Sequence, residues 1–148
     1  MDFGLIDSKL SDANYCLHEM YKQERRASDP MNVFPRNHDA FFYICATALG
    51  LFDGRGDGER DAAIKAWKSD WERHQLTPER KLYQLCQGEC ESDDRLRVQI
   101  LGVQDDRTLT KKRYVYNIDG VQRDVTAVAE AYFKLLSRMV ADAKQANL

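Results

Sequence analysis

The sequence lacks the features of membrane and secreted proteins. Its main apolar stretch, from Ala40 to Phe52, is shorter than the roughly 20 residues that a bilayer requires. The opening Met1-Asp2-Phe3-Gly4-Leu5 contains no basic segment followed by an apolar one, so we expect no secretory signal. These absences predict a cytoplasmic protein without a membrane segment.

Motifs for common chemistries are also missing. There is no glycine-rich phosphate loop, no G-x-S-x-G nucleophile motif and no H-E-x-x-H zinc motif. Cys86-x-x-x-Cys90 and Cys16-x-His18 contain the residue types that bind zinc, but they do not form the two matching pairs of a structural zinc site. We therefore predict no metal, no cofactor and four reduced cysteines.

The charge is balanced, with 22 basic and 24 acidic residues and a net charge of -2. The molecule as a whole therefore has no field that attracts nucleic acid. One local exception, the basic segment 107–113, has the residue types that contact phosphate and is followed by a tyrosine that could stack on a base. We favour the alternative of a charged hairpin that blocks edge-to-edge aggregation. The candidate RNA-binding residues are Arg107, Lys111, Lys112, Arg113 and Tyr114.

Apolar residues recur at three- and four-residue steps along most of the chain, which predicts helices. The second of these helices is apolar on nearly every side, so we expect it to be buried on every side. The fourth has Thr77 as N-cap and Pro78 at its first position. The predicted helices cover residues 8–27, 36–52, 59–74, 77–88 and, after a cap at Asp124 or Thr126, a segment that ends near Gln145.

The periodicity changes between the fourth and last helices. Leu96, Val98 and Ile100 alternate with polar residues, and the segment 114–118 alternates in the same way, so residues 96–118 predict a β-hairpin. The hairpin must pack on the helices or across an interface, because an isolated hairpin is marginal in water. We predict one mainly α domain over residues 1–148: a bundle of about five helices with a β-hairpin inserted before the C-terminal helix.

The second predicted helix opens with a polar turn, Arg36-Asn37-His38-Asp39. In a catalytic interpretation, His38 acts as general base, Arg36 binds an anion and Asp39 orients the histidine. In the alternative interpretation, Asn37 and Asp39 cap the helix and His38 lies on the surface.

Three helical segments together form a larger pattern. The second helix begins Arg36-Asn37-His38-Asp39-Ala40-Phe41-Phe42, the third contains Trp67-Lys68-Ser69-Asp70-Trp71, and the last runs from Asp124-Val125 through Tyr132-Phe133 to Leu136. This order resembles the HEPN-like helical domains of prokaryotes. The resemblance implies a homodimer that binds protein or RNA in a toxin–antitoxin or defence system.

Many HEPN-like proteins are ribonucleases whose catalytic arginine precedes a histidine by four to six residues. None of the three histidines in this sequence has that spacing. Our leading hypothesis is therefore a non-catalytic HEPN-like module that binds protein or RNA, and we lean away from an enzyme. Two alternatives stay open: a divergent, metal-independent ribonuclease that uses Arg36 and His38 with support from Asp39, and a structural subunit that binds a partner.

Overall fold

A computed structural model of the chain describes residues 1–26, 28–76, 79–88, 98–104 and 110–148, without the side chains of 88, 102–104 and 110–112. The predicted fold class is confirmed: the described residues form five helices and a small antiparallel sheet that directly precedes the last helix. Among the described helices, none has the length and apolar character needed to cross a membrane. The elements are α1 (Phe3–Glu24), α2 (Val33–Gly50), α3 (Glu59–Gln75), α4 (Arg80–Gly88), β1 (Gln99–Gln104), β2 (Thr110–Ile118), β3 (Val121–Asp124) and α5 (Val125–Gln145).

The core lies between α1, α2 and α5, since α1 contacts both other helices. Apolar stripes at helical spacing meet there and exclude water, which is the main favourable term in folding. The prediction that α2 is buried on every side is wrong, because Tyr43 is 72% exposed and Thr47 is also exposed. Within the described residues, α1 and α5 cover only part of the circumference of α2.

Helix α1 begins at Phe3, earlier than the predicted start at residue 8. The side chain of Asp2 accepts a hydrogen bond from the backbone N–H of Leu5 at 3.0 Å, which satisfies one of the free donors of the first turn. Ile6 is fully buried and, together with Leu10, extends the apolar face of α1 toward the N-terminus. A cap and an additional core contact together account for the longer helix.

Helix α2 also begins earlier than predicted, at Val33, because Asp29 caps it from the preceding loop. One Asp29 carboxylate oxygen accepts the N–H of Val33 at 2.7 Å and the other accepts the N–H of Phe34 at 2.8 Å. Asn37 instead donates to the carbonyl of Val33 at 2.8 Å. The expectation that Asn37 and Asp39 cap the helix is therefore wrong, since the helix start lies one turn before them.

The predicted hairpin is confirmed in strands β1 and β2, and the structure adds a third strand. Asp119 and Gly120 have φ values of 54° and 79°, which a two-residue hairpin turn requires. The chain therefore reverses and β3 pairs with β2, with Ile118 opposite Val121. Strand β3 was not predicted, because its four residues are mostly polar and show no apolar alternation. Residues 96, 97 and 105–109 of the predicted hairpin lie outside the described residues.

Helix α2 covers one face of the sheet at the centre of β2. Tyr114, Val115 and Tyr116 are all buried, and successive strand residues point to opposite faces. The ring of Tyr114 stacks on Phe34 of α2, with centroids 3.6 Å apart and an interplanar angle of 7°. The hairpin thus has the helical cover that its stability requires.

The two tryptophans attach α3 to the rest of the bundle. Trp71 is buried and donates its indole N–H to Asp142 of α5 at 2.8 Å. Trp67 is half-buried and its ring lies 6.1 Å from that of Phe52, just beyond the end of α2. Together they join α3 to α5 and to the segment that follows α2.

Candidate functional site

The polar turn Arg36–Asp39 lies in the first turns of α2, and its side chains separate. His38 is buried and faces the sheet, whereas Arg36 and Asp39 are exposed. The prediction of a surface His38 is wrong because the sheet covers this side of α2. The Nε2 atom of His38 hydrogen-bonds the hydroxyl of Tyr116, and its Nδ1 atom lies 3.0 Å from an Asp39 carboxylate oxygen.

These contacts determine the chemistry of the His38 ring. Burial lowers the pKa of His38, and the hydrogen bond and charge of Asp39 only partly oppose that effect. A neutral imidazole has one donor and one acceptor nitrogen. A carboxylate only accepts, so Nδ1 carries the proton toward Asp39 and Nε2 accepts from Tyr116. Both nitrogens of His38 are therefore occupied, and neither is placed to take a proton from a substrate.

The structure does not bring Arg36 and His38 together. Residues two positions apart on an α-helix point about 200° apart, so they lie on different sides. Arg36 is exposed, and no described residue forms a hydrogen bond or ion pair with its guanidinium group. The pair therefore does not form a single catalytic site on one molecule.

Of the candidate RNA-binding residues, the structure describes the side chains of Arg113 and Tyr114. Arg107 lies outside the described residues, as do the side chains of Lys111 and Lys112. Arg113 donates to the carboxylate of Asp124 at 2.9 Å. Tyr114 is only 2% exposed and stacks on Phe34, so its ring is not available for a base in this structure.

A groove that sequence reasoning missed lies between α4, the β2–β3 turn, β3 and the start of α5. It has a volume of about 560 Å³, within the range of ligand-binding clefts. Its apolar surface comes from Leu82, Leu85, Ile118, Val121, Ala127, Val128 and Ala131, and its charged residues are Glu79, Lys81, Asp119 and Arg123.

Most charges around the groove are paired within the molecule. Lys81 of α4 forms an ion pair with Asp119 in the β2–β3 turn, and Glu79 lies 3.5 Å from Arg138 of α5. Arg123 is the one charged lining residue for which the described part of the chain supplies no ion-pair partner. The only sequence signal for this groove was the apolar face of α4, because the strand that completes it was not predicted.

A smaller pocket of about 240 Å³ lies between α2, α3 and α4. Its Lys68 is paired with Asp53 at 2.6 Å and lies 3.8 Å from Glu72, which also accepts the hydroxyl of Tyr83 at 3.0 Å. Burial and the Glu72 carboxylate raise the pKa of Tyr83. The lysine charge is thus compensated by two carboxylates, and this cluster joins α3 to α4 and to the end of α2.

Three of the four cysteines lie within the described residues. Cys16, Cys45 and Cys86 are buried, where a thiol packs as a small apolar group, and Cys90 lies outside the described residues. Within the described ranges, no three His, Cys, Asp or Glu side chains are grouped as metal ligands.

Comparisons with protein-family models, with curated proteins and with solved structures give no match.

Proposed function

We propose that this chain is a non-catalytic, HEPN-like binding module that recognises a protein partner. The observation that carries the proposal is the groove of about 560 Å³ beside β3. Its walls are mainly aliphatic, and charged residues surround them, which is the composition of a surface that takes apolar side chains from a partner.

The contacts of His38 favour binding over catalysis. A general base needs a free acceptor within hydrogen-bond reach of the proton that it removes. Tyr116 and Asp39 occupy both ring nitrogens, and Arg36 points to another side of the helix. The polar turn therefore links α2 to the sheet, and the ribonuclease alternative lacks the accessible histidine base that it requires.

Protein recognition is also favoured over RNA recognition. Binding to single strands combines several phosphate contacts with exposed aromatic rings. The ring of Tyr114 is buried and Arg113 is paired with Asp124. The described candidates thus contribute neither an open stacking surface nor an unpaired basic cluster.

The family, the homodimer and the toxin–antitoxin or defence setting are parts of the proposal that rest on the sequence resemblance. The bundle of five helices is compatible with that resemblance. A structural subunit unrelated to the family would share the bundle and would not require a recognition groove.

Two assays with the purified full chain test this function. The first incubates it with single-stranded RNA without metal and measures binding in low salt; we expect neither cleavage nor binding. The second screens it against a displayed peptide library; we expect selected peptides that bind it as free synthetic peptides. RNA cleavage that His38→Ala abolishes would establish the ribonuclease alternative. RNA binding without any selected peptide would also contradict the proposal.

A further inference from the structure

Strand β3 has an open edge next to the groove. In the part of the chain that the structure describes, β2 is its only neighbouring strand, and all four β3 residues are exposed. In a two-residue hairpin the residues that flank the turn exchange both backbone hydrogen bonds, so Val121 pairs this way with Ile118. Hydrogen-bonded pairs alternate, and the N–H and C=O of Gln122 therefore point away from β2. An extended chain can pair with them.

The side chains of β3 join this edge to the groove. Val121 and Arg123 alternate along the strand and both line the groove, and Val121 is 53% exposed. A second strand beside β3 would place alternate side chains on the same face. An apolar side chain beside Val121 would then lie over the aliphatic surface of Leu82 and Leu85.

The charges of the groove indicate which kind of side chain, on a bound chain, would lie beside Arg123. Lys81 is paired with Asp119, and Glu79 lies 3.5 Å from Arg138. Arg123 has no described ion-pair partner. The adjacent first turn of α5 contains no acidic residue, and its N-cap Asp124 makes no side-chain capping bond. The positive end of the helix adds to the arginine charge. A single cation without a described ion-pair partner, beside an apolar wall, fits a carboxylate on a peptide better than a polyphosphate chain, which needs several cations.

We infer that the groove binds an extended segment of a partner protein that adds to the edge of β3. This segment has an apolar side chain over Val121 and, two residues away on the same face, a carboxylate that pairs with Arg123. The inference rests on the proposed protein-binding function and names the chemistry of its ligand.

An NMR titration of the full chain with three synthetic peptides tests the inference. The probe is acetyl-Thr-Leu-Thr-Val-Thr-Glu-Thr-amide, in which the glutamate shares a strand face with the apolar residues. The charge control has lysine instead of glutamate. The register control, acetyl-Thr-Leu-Thr-Val-Glu-Thr-Thr-amide, places the carboxylate on the opposite face. We expect the probe to shift the amide signals of Val121, Gln122 and Val128, and both controls to bind about fivefold or more weakly.

Charge reversal at the groove provides the matched variant test. Arg123 is exposed, so Arg123→Glu leaves the fold intact, and we expect it to prefer the lysine peptide over the probe. Arg60→Glu makes the same charge change on the exposed surface of α3 and should keep the affinity of the unmodified chain. Equal binding of all three peptides, shifts confined to other surfaces, or no shift at millimolar probe would each overturn the inference. Displayed peptides that bind outside the groove would overturn it while leaving the proposed function in place.

Discussion

The hydroxyl of Tyr116 is the polar group that satisfies the buried nitrogen of His38. The two residues are 78 positions apart in sequence and join α2 to the middle strand of the sheet. A buried acceptor that loses its hydrogen-bond donor still has no contact with water, and this costs about 1–3 kcal/mol. Removing the hydroxyl oxygen of Tyr116, a single atom, should therefore lower the stability of the protein strongly.

We expect Tyr116→Phe to lower the free energy of unfolding by about 1–3 kcal/mol, because His38 Nε2 would remain buried without a donor. Urea unfolding monitored by circular dichroism measures the change. Tyr43→Phe is the matched control: it removes the same atom from a ring that is 72% exposed, and its effect should stay within about 0.5 kcal/mol. Equal losses in the two variants would contradict the structural role of the hydrogen bond.

The burial of His38 also predicts a pH dependence. Its pKa in the folded protein lies below its ordinary value of 6.5, so the unfolded chain binds the proton more readily. The contribution of neutral His38 to the free energy of unfolding is therefore fully present above pH 6.5. It decreases as the pH falls through that value toward the lower pKa of His38 in the folded protein.

Unfolding curves of the unmodified protein and His38→Gln between about pH 7.5 and about pH 5.5 test this dependence. Glutamine does not titrate, so the stability difference between the two proteins isolates the histidine. We expect this difference to decrease on acidification, by at most about 1.4 kcal/mol per pH unit. A difference that is constant, or that grows as the pH falls, would show that His38 is not held in its neutral form.

At the scale of the element, Asp29 determines where α2 begins. Its carboxylate accepts two backbone N–H groups of the first turn, at 2.7 and 2.8 Å, although Asn32 occupies the N-cap position itself. Asn32 has φ of 52°, a left-handed conformation that asparagine tolerates better than most residues. The cap therefore depends on the path of the loop, and spacing along the sequence does not reveal it.

We expect Asp29→Ala to destabilise the protein by about 1–2 kcal/mol, because two N–H groups at the start of a central helix lose their acceptor. Thermal or urea unfolding measures the loss. Asp57→Ala removes a carboxylate from an exposed loop residue and should change stability by no more than about 0.5 kcal/mol. If Asp29→Ala were as stable as the control variant, the observed capping bonds would not support the helix.

At the scale of the whole molecule, the proposed homodimer is open to direct measurement. Light scattering coupled to gel filtration should give twice the chain mass of 17.1 kDa. Tyr15 of α1 is 65% exposed, and its ring is apolar surface that a second copy can cover. We expect Tyr15→Glu to shift the mass toward the monomer. A monomer mass for the unmodified chain at high concentration would contradict the homodimer.

The sequence by itself determined the helical class and the β1–β2 hairpin. The apolar stripes of α1 and α5 and the alternation in β2 are local patterns, and local periodicity is the strongest signal that a single sequence contains. The starts of the helices were predicted less well, since the caps of α1 and α2 come from Asp2 and from the loop residue Asp29.

Only the tertiary structure decided which polar residues are free to act. The turn Arg36–Asp39 has the same composition whether His38 faces solvent or Tyr116, and a contact across 78 residues has no local signature. The groove likewise depends on β3, a short polar strand that pairs because its turn returns it to β2. Burial and pairing are properties of residues brought together by the fold, so these features could not be predicted from sequence spacing.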